Sequence, residues 1–148
     1  MQIRRFEDVK TWQEARQLTR MVYQMTAQRA FAKDLGLASQ IQRAAISTMS
    51  NIAEGFDSGS PTEFVRFLGY VRRSASEVQC HLYAALDQGY IGQTEFDAAY
   101  AQAERTRKMT SAFTRYLRST RDLANRPTRQ LVNPSTRQPA NSLTHSHA

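Results

Sequence analysis

Residues 40–55 read QIQRAAISTMSNIAEG, a run of mostly small side chains that ends in Asn51, Glu54 and Gly55. Its apolar residues recur at steps of three and four, and the alanines among them would let a neighbouring helix approach closely. Glycine suits the turn just past a helix end, so the pattern predicts a helix over residues 37–55. Because this helix carries specialised residues on two sides, we expect it to belong to an all-α bundle that assembles with copies of itself.

Segments on either side show the same helical spacing of apolar residues. A first helix is predicted over residues 8–29, with the Asp8 carboxylate accepting hydrogen bonds from amides of its first turn. A third is predicted over residues 61–88, because the run SPTE at residues 60–63 supplies a serine cap, a proline at the first helical position and a glutamate that completes a capping box. Gly89 then ends this helix.

A fourth helix is predicted over residues 94–121, with Thr94 and Asp97 at its start. The connections between the helices are only a few residues long, so consecutive helices should run antiparallel. The prediction is therefore one domain over residues 1–122, an up-down-up-down antiparallel four-helix bundle. Residues 123–148 contain three prolines, three arginines and no acidic residue, which predicts a disordered basic tail.

The composition indicates a basic protein of a reducing compartment. The 148 residues include 20 Lys and Arg against 13 Asp and Glu, a formal net charge of +7, and the sequence pI is about 10.1. This charge favours a polyanionic partner such as RNA or DNA, although an arginine-rich composition can also reflect a GC-rich genome. One cysteine and no apolar segment of ~20 residues predict a cytoplasmic protein without a disulfide, a signal peptide or a membrane span.

A second line of side chains runs beside the apolar stripes of the second and third predicted helices. Its members are Arg43, Ser47, Asn51, Glu54, Tyr70, Ser74, Glu77 and His81. Hydrogen-bonding groups next to a core predict a polar seam between helices or between subunits, and a solvated flank is the alternative, since such residues are commonly exposed. Our hypothesis is that Asn51, Glu54, Ser74 and Glu77 are partly buried and mutually hydrogen-bonded.

An enzyme would have to use the same residues, for instance Glu54 and Glu77 as paired carboxylates with His81 as a proton carrier. Di-iron bundles, however, place Glu-x-x-His on two helices, whereas Glu77 and His81 are four residues apart and the other histidines lie at 145 and 147. The sequence also contains no glycine-rich phosphate loop and no HExxH motif. We therefore expect no enzymatic activity, no metal and no cofactor.

Basic residues in the second half of the fourth predicted helix are candidates for contacts with nucleic-acid phosphates. They are Arg105, Arg107, Lys108, Arg115, Arg118 and Arg121, with Arg66, Arg72 and Arg73 on the third helix. Cations near a helix C-terminus also interact favourably with the macrodipole, which gives part of this cluster a structural explanation. Most aromatic residues fall on or beside the core stripes, so we expect core packing rather than base stacking from Trp12, Tyr23, Phe64, Phe67, Phe96 and Phe113.

Several short motifs resemble those of the four-helix bundle family of 23S rRNA intervening-sequence proteins. They are Phe6, WQxA at 12–15, LxxQIxRAAxS at 37–47, NIAEG at 51–55, and EFxxFL at 63–68 followed by Ser74 and Glu77. The resemblance implies a cytosolic up-down bundle that assembles into a ring, with five subunits in characterised relatives. A more distant resemblance is to the accessory protein of diversity-generating retroelements, a basic pentamer that works with a reverse transcriptase and nucleic acid. For most members of the family no activity is established.

Together these features predict a non-enzymatic, homo-oligomeric binding or scaffold protein, a pentameric ring that contacts RNA or DNA phosphates through basic helix surfaces. The alternative is a protein-interaction adaptor with no nucleic-acid role, in which the basic charge serves solubility only. Loss of partners after nuclease treatment would favour the first interpretation, and retention of partners would favour the second.

Overall fold

The computed structural model describes residues 2–124, and all regular secondary structure in that range is helical. After a single 3-10 turn, Phe6–Asp8, the helices are α1 (Lys10–Thr26), α2 (Arg29–Lys33), α3 (Leu35–Asp57), α4 (Pro61–Asp87) and α5 (Gln93–Ala124). None of the helices in this range combines the length and the hydrophobicity that crossing a lipid bilayer requires.

The four predicted helices correspond to α1, α3, α4 and α5, and their boundaries differ from the prediction by up to three residues. The short helix α2 was not predicted, although its Phe31 is fully buried. Helix α5 extends two residues past the predicted domain limit of 122. Apart from those two residues, the tail predicted over 123–148 lies outside the described range.

Two of the predicted helix starts differ in the structure. Asp8 lies inside the 3-10 turn, where its carboxylate accepts from the amides of Arg4 at 3.1 Å and Arg5 at 3.3 Å, so Val9 and not Asp8 is the N-cap of α1. Thr94 is the second residue of α5, and Asp97 accepts from the Gln93 side chain at 2.8 Å. In both cases the helix begins one or two residues away from the predicted cap.

The start of α4 confirms the serine cap and the proline. Ser60 Oγ accepts from the Glu63 amide at 3.4 Å, and Pro61 is the first helical residue. The Glu63 carboxylate, however, accepts from Arg66 Nη2 at 2.8 Å, and the Ser60 amide donates to Ser58 Oγ at 3.5 Å. The predicted capping box is therefore only half formed.

Gly55 is a point of close helix packing and does not end its helix. Helix α3 continues to Asp57, and a Cβ atom at position 55 would lie 2.8 Å from Phe64 Cδ1 and 2.9 Å from Phe67 Cβ. The left-handed glycine of this connection is Gly59, with φ of +70°. The prediction was wrong because a helix stop and a close approach both require glycine, and sequence alone does not distinguish them.

The core consists of two clusters of buried side chains. The larger includes Leu18, Ile41 and Leu82, and the smaller includes Trp12, Ile52, Phe64, Leu68 and Val71. Helices α1 and α4 each pack against both α3 and α5. Of the aromatic residues predicted in the core, Trp12, Phe64 and Phe96 are buried and Phe67 and Phe113 are half-buried, whereas Tyr23 is exposed.

Helix α5 places a line of buried threonines in the core. Thr110 donates to the Thr106 carbonyl at 2.7 Å, Thr114 to the Thr110 carbonyl at 2.9 Å, and Thr106 to the Gln102 carbonyl at 2.9 Å. Each hydroxyl thus bonds to the backbone one turn earlier in its own helix, which avoids the cost of burying an unpaired polar group.

We expect Gly55→Ala to destabilise the protein by about 1–3 kcal/mol, because the added methyl group overpacks the contact of α3 with Phe64 and Phe67. Gly69→Ala in α4 is the matched control, since a Cβ there meets nothing within 4 Å and alanine favours helix by up to ~1 kcal/mol. Urea denaturation measures both changes. Equal stability of the two variants would contradict the close approach.

Candidate nucleic-acid interface

Three residues of the predicted polar seam come together where α3 packs against α4. Ser74 Oγ donates to Ser47 Oγ at 2.8 Å, and Asn51 Nδ2 donates to the Ser47 hydroxyl and carbonyl oxygens, each at 2.9 Å. Ser74 is only 8% exposed, and Ser47 and Asn51 are half-buried. Within one chain, the seam therefore consists of Ser47 and Asn51, which lie one helical turn apart on α3, and Ser74 of α4.

The remaining seam residues lie outward. Arg43, Glu54, Tyr70 and Glu77 are exposed and His81 is half-buried. Within residues 2–124 neither glutamate has a hydrogen bond or an ion pair, so the predicted four-residue network does not include them in a single chain. Glu54 lies about two helical turns from Ser47 along α3, beyond the Ser47–Ser74 hydrogen bond, and is exposed there.

The six candidate phosphate-binding residues of α5 divide into two groups. Arg105 pairs with Glu14 at 3.2 Å, Arg107 with Glu104 at 2.7 Å and Arg121 with Asp122 at 3.7 Å. Lys108, Arg115 and Arg118 are exposed, and in the described part of the chain no carboxylate lies within 4.0 Å of them. The second group therefore presents the more available cations of this helix.

Glu104 is held by groups from two helices. Arg107 donates to its carboxylate through Nε at 3.1 Å and Nη2 at 2.7 Å, and Gln79 of α4 donates at 3.0 Å. The hydrogen bond from Arg107 and then that from Gln79 lower the pKa of Glu104 to about 2, against the opposing effect of its partial burial. The carboxylate in turn raises the pKa of Arg107, so this charged pair fixes Arg107 at the edge of α5.

An open groove of about 630 Å³ runs between α4 and α5. Its lining includes Arg72, Arg73, Ser76, Glu77, Cys80, Arg107 and Ser111. Gly69, which has no side chain, and the small Ser76 and Ser111 line it together with arginines from both helices. Arg118 follows Arg107 by eleven residues, about three helical turns, and so lies on the same side of α5. We call this feature the α4–α5 groove.

A cluster of arginine and tyrosine borders this groove on α4. The guanidinium carbons of Arg66 and Arg73 each lie 5.7 Å from the centroid of the Tyr70 ring, and Arg66 Nη1 donates to the Tyr70 hydroxyl at 3.1 Å. Tyr70 was predicted as a seam residue, and its proximity to these two arginines was not predicted. The signal that could have revealed this Arg66–Tyr70–Arg73 cluster is the spacing Arg-x3-Tyr-x2-Arg, which puts all three side chains on one side of a helix.

The residues that an enzyme would have to use, Glu54, Glu77 and His81, share no hydrogen bond in the described part of the chain. Among residues 2–124 no group of three or more His, Cys, Asp or Glu side chains is close enough to share a metal ion. Cys80 is exposed in the α4–α5 groove.

Comparison with known proteins identifies the family of the chain. A sequence model described as 23S rRNA-intervening sequence protein matches residues 7–112. The chain belongs to this family. Among solved structures it is similar to a protein of unknown function from the S23 ribosomal protein family of Bacteroides thetaiotaomicron VPI-5482, with a TM-score of 0.65 and 18% sequence identity. That match covers 70% of this chain and 97% of the other, and it shows a shared fold. No functionally curated protein matches the chain.

Membership of the 23S rRNA-intervening sequence protein family confirms the resemblance that the sequence motifs predicted. The matched range contains the α4–α5 groove with Arg72, Arg73 and Arg107. Arg115, Arg118 and Arg121 lie beyond it, so this family member carries part of its basic surface outside the matched region.

We expect Glu104→Gln to lower the free energy of unfolding at pH 7 by about 1 kcal/mol, since it removes the charge that pairs with Arg107. The folded-state pKa of Glu104 is depressed, so its contribution is complete above its ordinary pKa and is lost as the pH falls toward 2. Urea denaturation between pH 7 and 3 should therefore show a smaller loss for the variant than for the wild type. Glu77→Gln is the control, because this exposed carboxylate of α4 has no hydrogen bond or ion pair within residues 2–124, and its pH profile should match that of the wild type. Parallel pH profiles for wild type and Glu104→Gln would contradict the pairing.

Proposed function

We propose that this chain is a non-enzymatic, homo-oligomeric protein that binds the phosphates of RNA or DNA in the α4–α5 groove. The observation that carries the proposal is the lining of this groove, where the exposed Arg72 and Arg73 of α4 stand with Arg107 of α5, which is paired with Glu104, and with one lining carboxylate, Glu77. In the described part of the chain neither Arg72 nor Arg73 has a carboxylate within 4.0 Å.

Guanidinium groups are suited to this role because they bind phosphate oxygens with two parallel hydrogen bonds. Lys108, Arg115 and Arg118 supply further exposed cations on α5, and the formal net charge of +7 attracts polyanions over a longer range. Phosphates carry no base identity, so the proposed binding is sensitive to salt and only weakly selective for sequence.

The proposal includes an antiparallel up-down-up-down bundle. Contacts between neighbouring long helices support it, because they join residues in opposite order along the chain. Gly55 faces Phe64 while Ser47 bonds to Ser74, and Glu14 accepts from Gln102 while Gln28 donates to Glu95.

The proposal further includes a cytoplasmic homopentameric ring. The resemblance to relatives with five subunits supports it, and so do large apolar side chains that remain exposed on a single chain. Ile46 of α3 is 41% exposed, on the same helix as the exposed seam residues Arg43 and Glu54, and Leu35, also of α3, is 77% exposed. We assign the subunit contact to this outer face of α3.

Replacement of Ile46 by glutamate is expected to dissociate the oligomer, because it places a charge in the proposed subunit contact. Light scattering should give about five times the 16.9 kDa chain mass for the wild type and a single chain for Ile46→Glu. Tyr23→Glu on α1, where the residue is 44% exposed, is the control and should leave the mass unchanged. A wild type that is a single chain at micromolar concentration would exclude the ring.

Groove binding predicts that the double variant Arg72→Gln/Arg73→Gln binds RNA roughly tenfold more weakly at low salt. It also predicts that the slope of log affinity against log salt falls by about 2. Fluorescence anisotropy with a labelled oligonucleotide measures both quantities. Arg20→Gln/Arg29→Gln on α1 and α2 removes the same charge at exposed positions outside the groove and should have a smaller effect. If wild-type affinity is absent at low salt or independent of salt, the proposal fails.

One observation favours the alternative function, a protein-interaction adaptor. A largely apolar groove of about 320 Å³ lies at one end of the bundle, lined by Val9, Phe56, Phe64, Phe113 and Leu117 among others. Such a surface suits an apolar segment of another polypeptide. Protein partners that remain bound to the purified oligomer after nuclease treatment would support this function over the nucleic-acid one.

A further inference from the structure

We propose that the Arg66–Tyr70–Arg73 cluster is a stacking platform for an unpaired nucleobase, so that the α4–α5 groove prefers single-stranded nucleic acid over a duplex. This inference rests on the proposed function, because the phosphates of the same strand must lie in the groove.

The Tyr70 ring is held in place by its neighbours. Glu63 accepts from Arg66 through Nε at 3.1 Å and Nη2 at 2.8 Å, and the same guanidinium donates to the Tyr70 hydroxyl at 3.1 Å through Nη1. Arg66 also lies 4.9 Å from the centroid of the Phe67 ring. A ring fixed in this way loses little conformational freedom when a base stacks on it.

The ring is accessible as well as fixed. Tyr70 is 37% exposed on the outer side of α4, where it takes no part in either core cluster. Base faces stack on aromatic rings and on guanidinium planes, and the cluster presents both within one helical turn of each other. Its three side chains therefore offer a mixed aromatic and cationic surface for a flat π system.

Arg73 connects the platform to the groove. Arg73 lies over the Tyr70 ring and also lines the α4–α5 groove together with Arg72. A strand whose phosphates contact these arginines can place one base against Tyr70. In a duplex both faces of each base are covered by its neighbours, so only an unpaired base can use the platform.

Other exposed tyrosines lack this arrangement. Tyr83 is 52% exposed but packs against Phe96 at 4.9 Å between ring centroids. Tyr116 is 61% exposed and stacks on Phe113 at 6.3 Å. Tyr70 also packs edge-on against Phe67, at 6.2 Å between ring centroids, but among the exposed tyrosines of residues 2–124 it is the one with two guanidinium groups near its ring. Tyr83, on the same helix, therefore serves as a matched control.

The experiment compares the affinity of the full-length protein for three labelled probes by fluorescence anisotropy at low salt. The probes are a short oligoadenylate of about ten nucleotides, an abasic ribose-phosphate strand of equal length, and a duplex of equal length. We expect the wild type to bind the oligoadenylate about tenfold more tightly than the abasic strand, from one stacked base. Tyr70→Leu should abolish this preference without changing abasic binding, whereas Tyr70→Phe and Tyr83→Leu should keep it.

Each other result overturns the inference. Equal wild-type affinity for the base-containing and abasic strands shows that no base stacks, and a duplex bound as tightly as the oligoadenylate excludes the preference for single strands. Groove binding itself stands in both cases. A Tyr70→Leu variant that loses affinity for both strands equally, or that changes the oligomer mass in light scattering, shows a structural or subunit-contact role for the ring. Absence of binding to all three probes overturns the groove proposal together with the platform.

Discussion

The close packing of α3 on α4 is the contact on which the rest of the molecule depends. It requires a residue without a side chain at Gly55, because a Cβ atom there would lie 2.8 Å from the Phe64 ring. Farther along the same helix pair, the Ser47–Ser74 hydrogen bond joins the two backbones through small side chains. Since α4 is positioned in this way against α3, its opposite flank is free to form the α4–α5 groove.

Much of the helical architecture could be predicted from the sequence because apolar residues recur at helical spacing in four long segments. The predicted positions of α4 and of its serine cap hold in the structure, since Ser60 and Pro61 act through local backbone geometry. The roles of Asp8 and Gly55 could not be predicted. Asp8 can accept from amides on either side of it in the chain, and in the structure it accepts from Arg4 and Arg5. The role of Gly55 depends on how closely α4 approaches α3, a distance that a single sequence does not contain.

The candidate site, like the fold, could be predicted only in part. Helical spacing correctly brought Ser47, Asn51 and Ser74 to one seam, because residues one turn apart share a face. It did not show that Glu54 is exposed or that Arg105 pairs with Glu14, since that ion pair joins distant parts of the chain. The pair Arg107 and Glu104 is three residues apart, so helical spacing could have revealed it. The subunit contact stays a prediction, because it lies outside a single chain by definition.

The buried threonines of α5 affect which amino-acid substitutions this core tolerates during evolution. Each hydroxyl of Thr106, Thr110 and Thr114 bonds to a carbonyl that already accepts from the helix backbone. Exchange of a threonine for valine, which is similar in shape, therefore leaves no polar partner stranded. Substitution between threonine and valine should therefore be nearly neutral here, whereas a change in one member of the glutamine and glutamate pairs that join α5 to α1 and α4 removes a hydrogen bond from the other member.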